Sequence, residues 1–445
     1  MELRPDQEVR IRGQAYSRSG CLQRALELNP AIPLAWARLG VCLESGEVVR
    51  ISGEPVNQRG AYLRALALDP GLAATWNNLG SSLRATETTE VAGRVVNKRG
   101  CYLEALRLNP SLAPSWTGLG WTLALDEIVE VAGRRLDKRG CYLEALRLDA
   151  SYPYAWANLG DTLRPDEILH LPGKTLNKRG CYLETLRLDS GNAPAWNNLG
   201  NALGTTERVE IGGRTVGKAG CYLEALNLNP SASTTWNNLG NSLKPEEMVQ
   251  AAGRVNTKRD CYLESLRLNP RNESAWIGLG NVLVPRETIW ALGREVDKRG
   301  CYQEAIRLSP INAVAWNNLG NALTLHEALD IAGKSMDKHG CYREALRLNP
   351  EYASAWSNLG FAIAIGKRVE VGGTWRNRRD CFLEALQLDA RLKPAWAGLG
   401  QTLEIEEKVR VHGRAYSRED CWLRAKGLEP ENPNVRSELD GPESD

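Results

Sequence analysis

Ten tryptophans recur along this chain at intervals of 40 residues, without a single slip. They are Trp36, Trp76, Trp116, Trp156, Trp196, Trp236, Trp276, Trp316, Trp356 and Trp396. A fixed period of this length indicates a stacked array of repeats, in which each unit buries its apolar face against its neighbours. Such arrays present a long concave surface and mostly bind other molecules, so the period predicts architecture first and a class of function second.

The composition excludes several other classes of protein. The 56 basic and 54 acidic side chains leave a net charge of +2, which gives no net attraction to nucleic acid or to an anionic membrane. The apolar content of 42% is too high for a disordered chain. No secretory signal follows Met1, and no run approaches the roughly 18 apolar residues of a membrane helix. We therefore expect an intracellular, cytoplasmic protein that makes no contact with membranes.

Ten of the eleven cysteines keep the 40-residue register, namely Cys21 and then Cys101 to Cys421 at every step. Equivalent residues of stacked repeats lie on the order of 10 Å apart, too far for a disulfide. The register position in the second repeat is Ala61, which suits a packing residue and not a metal ligand or nucleophile. We expect reduced, buried thiols that act as small apolar side chains.

Residues 191–230 show the anatomy of one repeat. A first helix over 194–203 places Trp196 and two leucines on one apolar stripe, and Gly200 on that stripe permits close approach of a partner helix. The period then changes to two over 208–216, around Gly212-Gly213, which predicts a β-hairpin with a two-residue turn. A second helix follows and ends at Asn229-Pro230.

Two further columns of residues follow from this register. A capping residue precedes almost every second helix, at Ser17, Asn57, Asn97, Asp137, Asn177, Thr257, Asp297, Asp337, Asn377 and Ser417, with Gly217 as the exception. Continuing the hairpin register places Glu207 opposite Lys218, and most repeats conserve this charge pair within the chain, so we expect a cross-strand ion pair. Lys367 opposite Arg378 breaks the pattern, and the arginine that follows most of the lysines has no partner in this scheme.

The periodicity predicts three segments. Residues 5–30 form an N-terminal half repeat of hairpin and second helix, and residues 31–430 form ten tandem repeats of 40 residues. Residues 431–445 form a degenerate, polar C-terminal cap.

The motif Trp196-Asn197-Asn198-Leu199-Gly200, followed by Ala225-Leu226 and Asn229-Pro230, resembles the tetratricopeptide repeat. The resemblance covers residues 31–430 and implies a mainly α fold, a right-handed superhelical α-solenoid. The family's repeat is about 34 residues long. Here the extra residues of each repeat coincide with the predicted hairpin, so we expect helix–β-hairpin–helix units.

In that family the first helices line the concave groove, and here they are rich in asparagine. One row stands two residues after the tryptophan, at Asn78, Asn158, Asn198, Asn238, Asn318 and Asn358, and further amides stand at Asn197, Asn201, Asn237, Asn241, Asn281, Asn317 and Asn321. The first row is similar to the asparagine ladder in the repeats of O-linked N-acetylglucosamine transferases, which implies binding of an extended peptide. Each amide offers a donor and an acceptor that match a peptide bond. The alternative is a solvated helix face copied by duplication.

Two aromatic residues, Trp121 and Phe361, share the register of Asn201 and are candidate apolar anchors in the groove or chance surface aromatics. A subclass of the family grips a terminal carboxylate with basic residues on this face. Only Arg38, Arg84, Arg164 and Lys244 lie near it here.

Three functional alternatives remain beside a scaffold that binds a peptide or a partner's helix. Catalysis is not expected, because the four histidines show no metal-like spacing and no cofactor motif is present. Nucleic acid could bind through the recurring Lys-Arg dipeptides, such as Lys98-Arg99, although we expect a protein partner instead. Head-to-tail self-assembly could complete the terminal repeats and form a filament.

Overall fold

A computed structural model describes residues 9–11, 14–44, 46–131, 133–171 and 173–428. The predicted polar cap at 431–445, and the first residues of the predicted half repeat, lie outside the described residues. The chain divides into two compact units, Met1–Leu228 and Asn229–Asp445, which are described separately below.

Every described repeat contains a two-stranded antiparallel hairpin. In unit 1 the strands are Val9–Ile11 with Gln14–Tyr16, Val48–Ile51 with Glu54–Asn57, Thr88–Val91 with Arg94–Asn97, Val129–Val131 with Arg134–Leu136, Ile168–Leu171 with Lys174–Asn177 and Arg208–Ile211 with Arg214–Gly217. In unit 2 they are Met248–Ala251 with Arg254–Thr257, Thr288–Ala291 with Arg294–Asp297, Ala328–Ile331 with Lys334–Asp337, Val369–Val371 with Thr374–Arg376 and Lys408–Val411 with Arg414–Ser417.

Two helices alternate with these hairpins. The first helices are Pro33–Cys42, Ala73–Ser82, Ala113–Thr122, Pro153–Thr162 and Ala193–Ala202 in unit 1, and Ser233–Ser242, Glu273–Val282, Ala313–Ala322, Ala353–Ala362 and Lys393–Gln401 in unit 2. The second helices are Arg18–Leu28, Gln58–Leu68, Lys98–Leu108, Lys138–Leu148, Lys178–Leu188 and Lys218–Leu228 in unit 1, and Lys258–Leu268, Lys298–Leu308, Lys338–Leu348, Arg378–Leu388 and Arg418–Lys426 in unit 2. The mainly helical, tetratricopeptide-like fold with inserted hairpins is confirmed.

The hairpins adopt the predicted two-residue turn. Ile211 pairs with Arg214 and Val209 with Val216, and both turn residues, Gly212 and Gly213, have positive φ of 56° and 75°. Positive φ at both positions defines the type I′ turn, whose twist matches that of the strands. The predicted helix caps are confirmed as well, for example at Asn97, whose Oδ1 accepts from the N–H of Gly100 at 2.8 Å.

The core of each unit runs between the layers of helices. The indole N–H of Trp196 donates to the carbonyl of Ser190 at 2.9 Å, and the same bond recurs in the other repeats. Gly200 lies against the ring of Tyr222, so closely that a Cβ at position 200 would stand 2.6 Å from Tyr222 Cε1. This contact explains why the glycine recurs, because no other residue leaves room for the ring.

The cysteines are free, and the nine from Cys101 to Cys421 are buried, as predicted. Burial raises the pKa of Cys181 and Cys301 to about 12, so these thiols are protonated and unreactive at neutral pH. Cys21 and Cys42 are only half-buried.

The predicted ion pair between strand glutamate and following lysine is wrong. Lys98 Nζ donates instead to the carbonyl of Leu83 at 2.9 Å, at the end of the preceding first helix, and equivalent lysines do the same. Glu127 binds the guanidinium of Arg99 from the preceding repeat at 2.5 Å. This Arg–Glu clamp recurs as Arg59–Glu87, Arg139–Glu167 and Arg179–Glu207 in unit 1 and as Arg259–Glu287, Arg299–Glu327 and Arg379–Glu407 in unit 2.

The clamp explains both the unassigned arginine column and the exceptional repeat. The cation position preceding Lys367 holds His339, so the glutamate and its arginine are absent together. The His339 ring contacts the carbonyl of Ala362 through Nε2 at 3.0 Å. The loss is not paired everywhere, since Ser19 and Ala219 stand in the arginine column while Glu47 and Glu247 remain at the glutamate positions.

Candidate functional site

The asparagine row identified in the sequence lies on one face of the first helices, here called the ladder face. In unit 1 it comprises Asn78, Asn158 and Asn198, and in unit 2 Asn238, Asn318 and Asn358, all of them half-buried. The second row, Asn201, Asn241, Asn281 and Asn321, is exposed beside it. Half-burial leaves an amide accessible while its neighbours restrict its rotamers, which lowers the entropy lost on binding.

The second row is held by a column of buried tyrosines from the second helices. Tyr302 donates from its hydroxyl to Asn281 Oδ1 at 2.8 Å, and the same bond joins Tyr222 to Asn201, Tyr262 to Asn241 and Tyr342 to Asn321. In unit 1, Tyr182 donates to the carboxylate of Asp161 at 2.6 Å. The tyrosine hydroxyls therefore lie where the apolar core meets the ladder face, and they hold the second-row amides in place.

Hydrogen bonds also join the ladder from one repeat to the next. Asn198 Nδ2 donates to Asp161 Oδ1 at 3.1 Å in unit 1, and Asn318 Nδ2 donates to Asn281 Oδ1 at 3.1 Å in unit 2. Asn358 Nδ2 donates to Asn317 Oδ1 at 2.9 Å. Asn158 has no hydrogen-bond partner within the described part of the chain. Apart from Asn158, the ladder asparagines thus take part in hydrogen bonds within the protein and are not independent surface side chains.

Three of the predicted groove asparagines lie deeper than the sequence suggested. Asn237 and Asn317 are buried, with 7% and 3% of their surfaces exposed, and Asn197 is half-buried. Asn197 and Asn317 donate to the ladder residues Asn198 and Asn318, respectively, at 3.1 and 3.2 Å. Asn197 and Asn317 therefore support the ladder from beneath.

The two candidate anchors differ in their surroundings. Trp121 is 52% exposed, and Lys98 Nζ lies 5.1 Å from its ring centroid. Phe361 is 40% exposed and packs edge-on against Phe382 at 4.8 Å. Phe382 stands in the tyrosine column and Phe361 in the second asparagine row, so an aromatic pair replaces the tyrosine–amide bond in this repeat.

A cleft opens beside the ladder at equivalent places in the two units. In unit 1 a cleft of about 310 Å³ is lined by Pro165, Lys178, Arg179, Tyr182, Asn198, Asn201 and Ala202. In unit 2 a cleft of about 710 Å³ is lined by Asn281, Pro285, Arg286, Asp297, Lys298, Arg299, Tyr302, Asn318, Asn321, Ala322, Thr324, His326 and Glu327. They are called the Asn198 cleft and the Asn318 cleft.

Sequence reasoning missed the tyrosine column and Arg286 as parts of this face. Hydrophobic patterning places these tyrosines in the core, but the joint change at Phe361 and Phe382 marks a contact between the two columns. Arg286 has no arginine counterpart at the equivalent turns of the other repeats, and only the folded chain brings it beside Lys298 and the amides. Among the described residues no group of three or more His, Cys, Asp or Glu could hold a metal ion.

A family model supports the repeat assignment over one segment of the chain. A family model for the tetratricopeptide repeat matches residues 301–340. The crystal structure of yeast Tom70 is similar with a TM-score of 0.33 and 13% identity, over 86% of this chain and 83% of that chain. A search of curated proteins gives no match. No helix in the described ranges is long and apolar enough to cross a membrane.

The matched segment has the length of one repeat, and its features recur in both units. These features are the hydrogen bond of the tryptophan indole, the glycine–tyrosine contact and the paired helices. Repeats of this type support a general role as a protein-interaction scaffold. The described chain is therefore built from tetratricopeptide-like repeats of 40 residues that carry a β-hairpin between their two helices, and one of them, residues 301–340, matches the family model.

Proposed function

We propose that the ladder face binds an extended polypeptide segment of a partner protein, chiefly through its main chain. The observation that carries the proposal is the pair of asparagine rows. Asn198 and Asn318 of the half-buried row are bonded to a neighbouring repeat, the exposed second row is bonded to tyrosine hydroxyls, and further hydrogen-bonding groups stay at the surface. A side-chain amide has two donors and an acceptor, and a peptide bond needs one of each.

A network of this kind is suited to main-chain recognition because its geometry repeats with the helices and not with the ligand's sequence. The tyrosine and asparagine contacts hold the amides before the ligand arrives, so less rotamer freedom is lost on binding. Solvated helix faces need no such support, and asparagine is a poor helix former. The support column therefore favours a binding face over a passive surface.

The test compares binding of a displayed library of random, proline-free peptides to wild-type protein and to the combined variant Asn158→Ala, Asn198→Ala and Asn318→Ala. Asn227→Ala is the matched control, since Asn227 is an exposed asparagine of a second helix, away from the ladder. We expect peptide recovery to fall at least tenfold, a loss of about 1.4 kcal/mol or more.

Circular dichroism must show that the combined variant melts as the wild type does. Equal recovery by wild type and folded variant would contradict the proposal and direct attention to the hairpins. A loss of recovery in Asn227→Ala without a loss in the combined variant would contradict it as well.

A further inference from the structure

In the Asn318 cleft, the amide oxygens of two asparagines are bonded within the protein, whereas their N–H groups are not. Asn281 Oδ1 accepts from both Tyr302 and Asn318, and Asn321 Oδ1 accepts from Tyr342. The Nδ2 groups of Asn281 and Asn321 have no partner among the described residues. The protein thus occupies the amide oxygens of Asn281 and Asn321 and leaves their N–H donors for a ligand.

The Asn198 cleft fixes the direction of these bonds independently. Asp161 stands where Asn281 stands in unit 2, and it accepts from Tyr182 at 2.6 Å and from Asn198 at 3.1 Å. A carboxylate can only accept, so the tyrosine hydroxyl and the ladder amide must both donate at this position. The same two donors face Asn281, whose Oδ1 must meet them and whose Nδ2 must point away.

The charged side chains of the Asn318 cleft also favour a ligand that accepts hydrogen bonds. Arg299 is bound by Asp297 at 3.0 Å and by Glu327, so its charge is matched within the protein. Lys298 uses one of its three donors on the carbonyl of Leu283 at 2.8 Å. Arg286 is exposed and has no hydrogen bond or ion pair among the described residues. Two cations therefore remain for a ligand.

Arg286 is unusual in both chemistry and backbone. The equivalent turn position holds Gly46, Thr86, Asp126, Asp166, Thr206, Glu246, His326, Gly366 and Glu406 in the other repeats. Arg286 has φ of 69°, and the other residues with positive φ at this position are the glycines Gly46 and Gly366. A non-glycine residue in this region costs about 1 kcal/mol or more, and such strain clusters at functional sites.

We propose that the Asn318 cleft binds the side-chain carboxylate of an Asp or Glu within the polypeptide on the ladder face, so that unit 2 selects acidic segments. Arg286 and Lys298 supply the charge, and the amides of Asn281 and Asn321 supply directed donors. The inference rests on the proposed function, since the carboxylate arrives on a chain that the ladder holds. The Asn198 cleft, with Asp161 and Asp166 at the corresponding positions, disfavours the same group.

The test uses short synthetic peptides of Ser, Thr and Ala, acetylated and amidated, which differ only in carrying Glu, Gln or Lys at alternate positions. Binding to the full-length protein is measured by fluorescence anisotropy at low salt. We expect the Glu peptide to bind about five- to tenfold more tightly than the Gln peptide, and added salt to remove the difference. In Arg286→Asp the preference should vanish, whereas Arg271→Asp, an equal charge change at an exposed residue outside the cleft, should retain it.

Each other outcome has a distinct meaning. Equal binding of Glu and Gln peptides by wild type overturns the carboxylate site and leaves main-chain binding intact. If a Gln peptide with a free C-terminus binds as tightly as the Glu peptide, the ligand is a chain terminus and the side-chain proposal is overturned. If no peptide binds, the proposed function fails and this inference fails with it.

Discussion

The Asn198 and Asn318 clefts have the same architecture and opposite chemistry. Both place a ladder asparagine beside a buried tyrosine hydroxyl and a Lys-Arg pair. Among their differences, Asp161 and Asp166 in unit 1 correspond to Asn281 and Arg286 in unit 2. The comparison teaches that the repeat sets the geometry of the face, while one or two side chains per repeat set the charge of the ligand that it accepts.

The largest expected effect comes from disturbing the tyrosine behind either cleft. In Gly280→Ala the new Cβ would stand 2.6 Å from Tyr302 Cε1, and in Gly160→Ala it would stand 2.9 Å from Tyr182 Cε1. We expect each change to lower the free energy of unfolding by about 1–3 kcal/mol, with the larger loss at Gly280. Urea denaturation followed by circular dichroism measures the effect.

The matched control for this comparison is Gly100→Ala, at a helical glycine whose Cβ would be 3.4 Å from its nearest neighbour. We expect it to raise the free energy of unfolding by up to about 1 kcal/mol, because alanine favours the helix. A loss at Gly100 as large as that at Gly280 would show that steric contact with the tyrosine is not the cause.

Removing the tyrosine hydroxyl should lower the free energy of unfolding more in the Asn198 cleft, where its partner is charged, than in the Asn318 cleft, where its partner is neutral. Tyr182→Phe removes a donor to a carboxylate at 2.6 Å, and Tyr302→Phe removes a donor to an amide at 2.8 Å. Because hydrogen bonds to charged groups are stronger, we expect losses of about 1.5–3 kcal/mol and about 0.5–1.5 kcal/mol, respectively. The difference in urea midpoints measures this, and a larger loss at Tyr302 would contradict the assigned bonds.

The backbone strain at Arg286 predicts a smaller effect of opposite sign. Arg286→Gly should raise the free energy of unfolding by about 0.5 kcal/mol, since glycine adopts positive φ without steric cost. The same substitution at Asp166, whose φ is not positive, should lower it by a similar amount. Calorimetry of both variants checks the pair, and stabilisation at Asp166 with loss at Arg286 would refute the account of strain.

Acid should destabilise the loops that form both clefts, because each loop contains a glutamate with a lowered pKa. Arg139, followed by the backbone N–H of Arg164, holds the pKa of Glu167 below its usual value. The backbone N–H of Val284, followed by Arg259, does the same for Glu287. A depressed carboxyl pKa stabilises the fold above the unfolded value of about 4.3, and this contribution is lost as pH falls through the folded value.

We therefore expect stability to decline below about pH 4 in wild type, and less steeply in Glu167→Gln and Glu287→Gln. Because both carboxylates are at the surface, the change is the smallest of the four. Thermal unfolding measured as a function of pH tests it, and identical slopes in wild type and both variants would contradict the clamp's role in acid stability.

The sequence could predict the repeat, the helices, the hairpin register and the buried cysteines because each depends on short-range periodicity. The Glu–Lys pair was predicted wrongly because extending a hairpin register ignores contacts between repeats. Glu127 in fact binds Arg99 of the preceding repeat, and Lys98 binds a helix carbonyl. The joint change at His339 and Lys367 agrees with this contact, but Glu47 and Glu247 remain where Ser19 and Ala219 replace the arginine, so the sequence alone does not reveal the pairing.

The asparagine rows were visible in the sequence, but their support was not. Periodicity places Asn317 and Asn318 on the same helix without stating that one is buried and donates to the other. Tyr302 serves the core with its ring and the ladder with its hydroxyl, a dual role that hydrophobic patterning does not separate. Arg286 could not be predicted as part of a site, since the equivalent turn position holds a different residue in the other repeats.

The most direct test of the account observes the amides themselves. Protein labelled with ¹⁵N only in asparagine side chains would be titrated with the Glu peptide, and side-chain NH₂ resonances would be followed by NMR. We predict shifts at Asn281, Asn318 and Asn321 that exceed those at Asn158 and Asn198, and their loss in Arg286→Asp. Binding of the peptide with no shift at any ladder asparagine would contradict the central claim that this face is the binding surface.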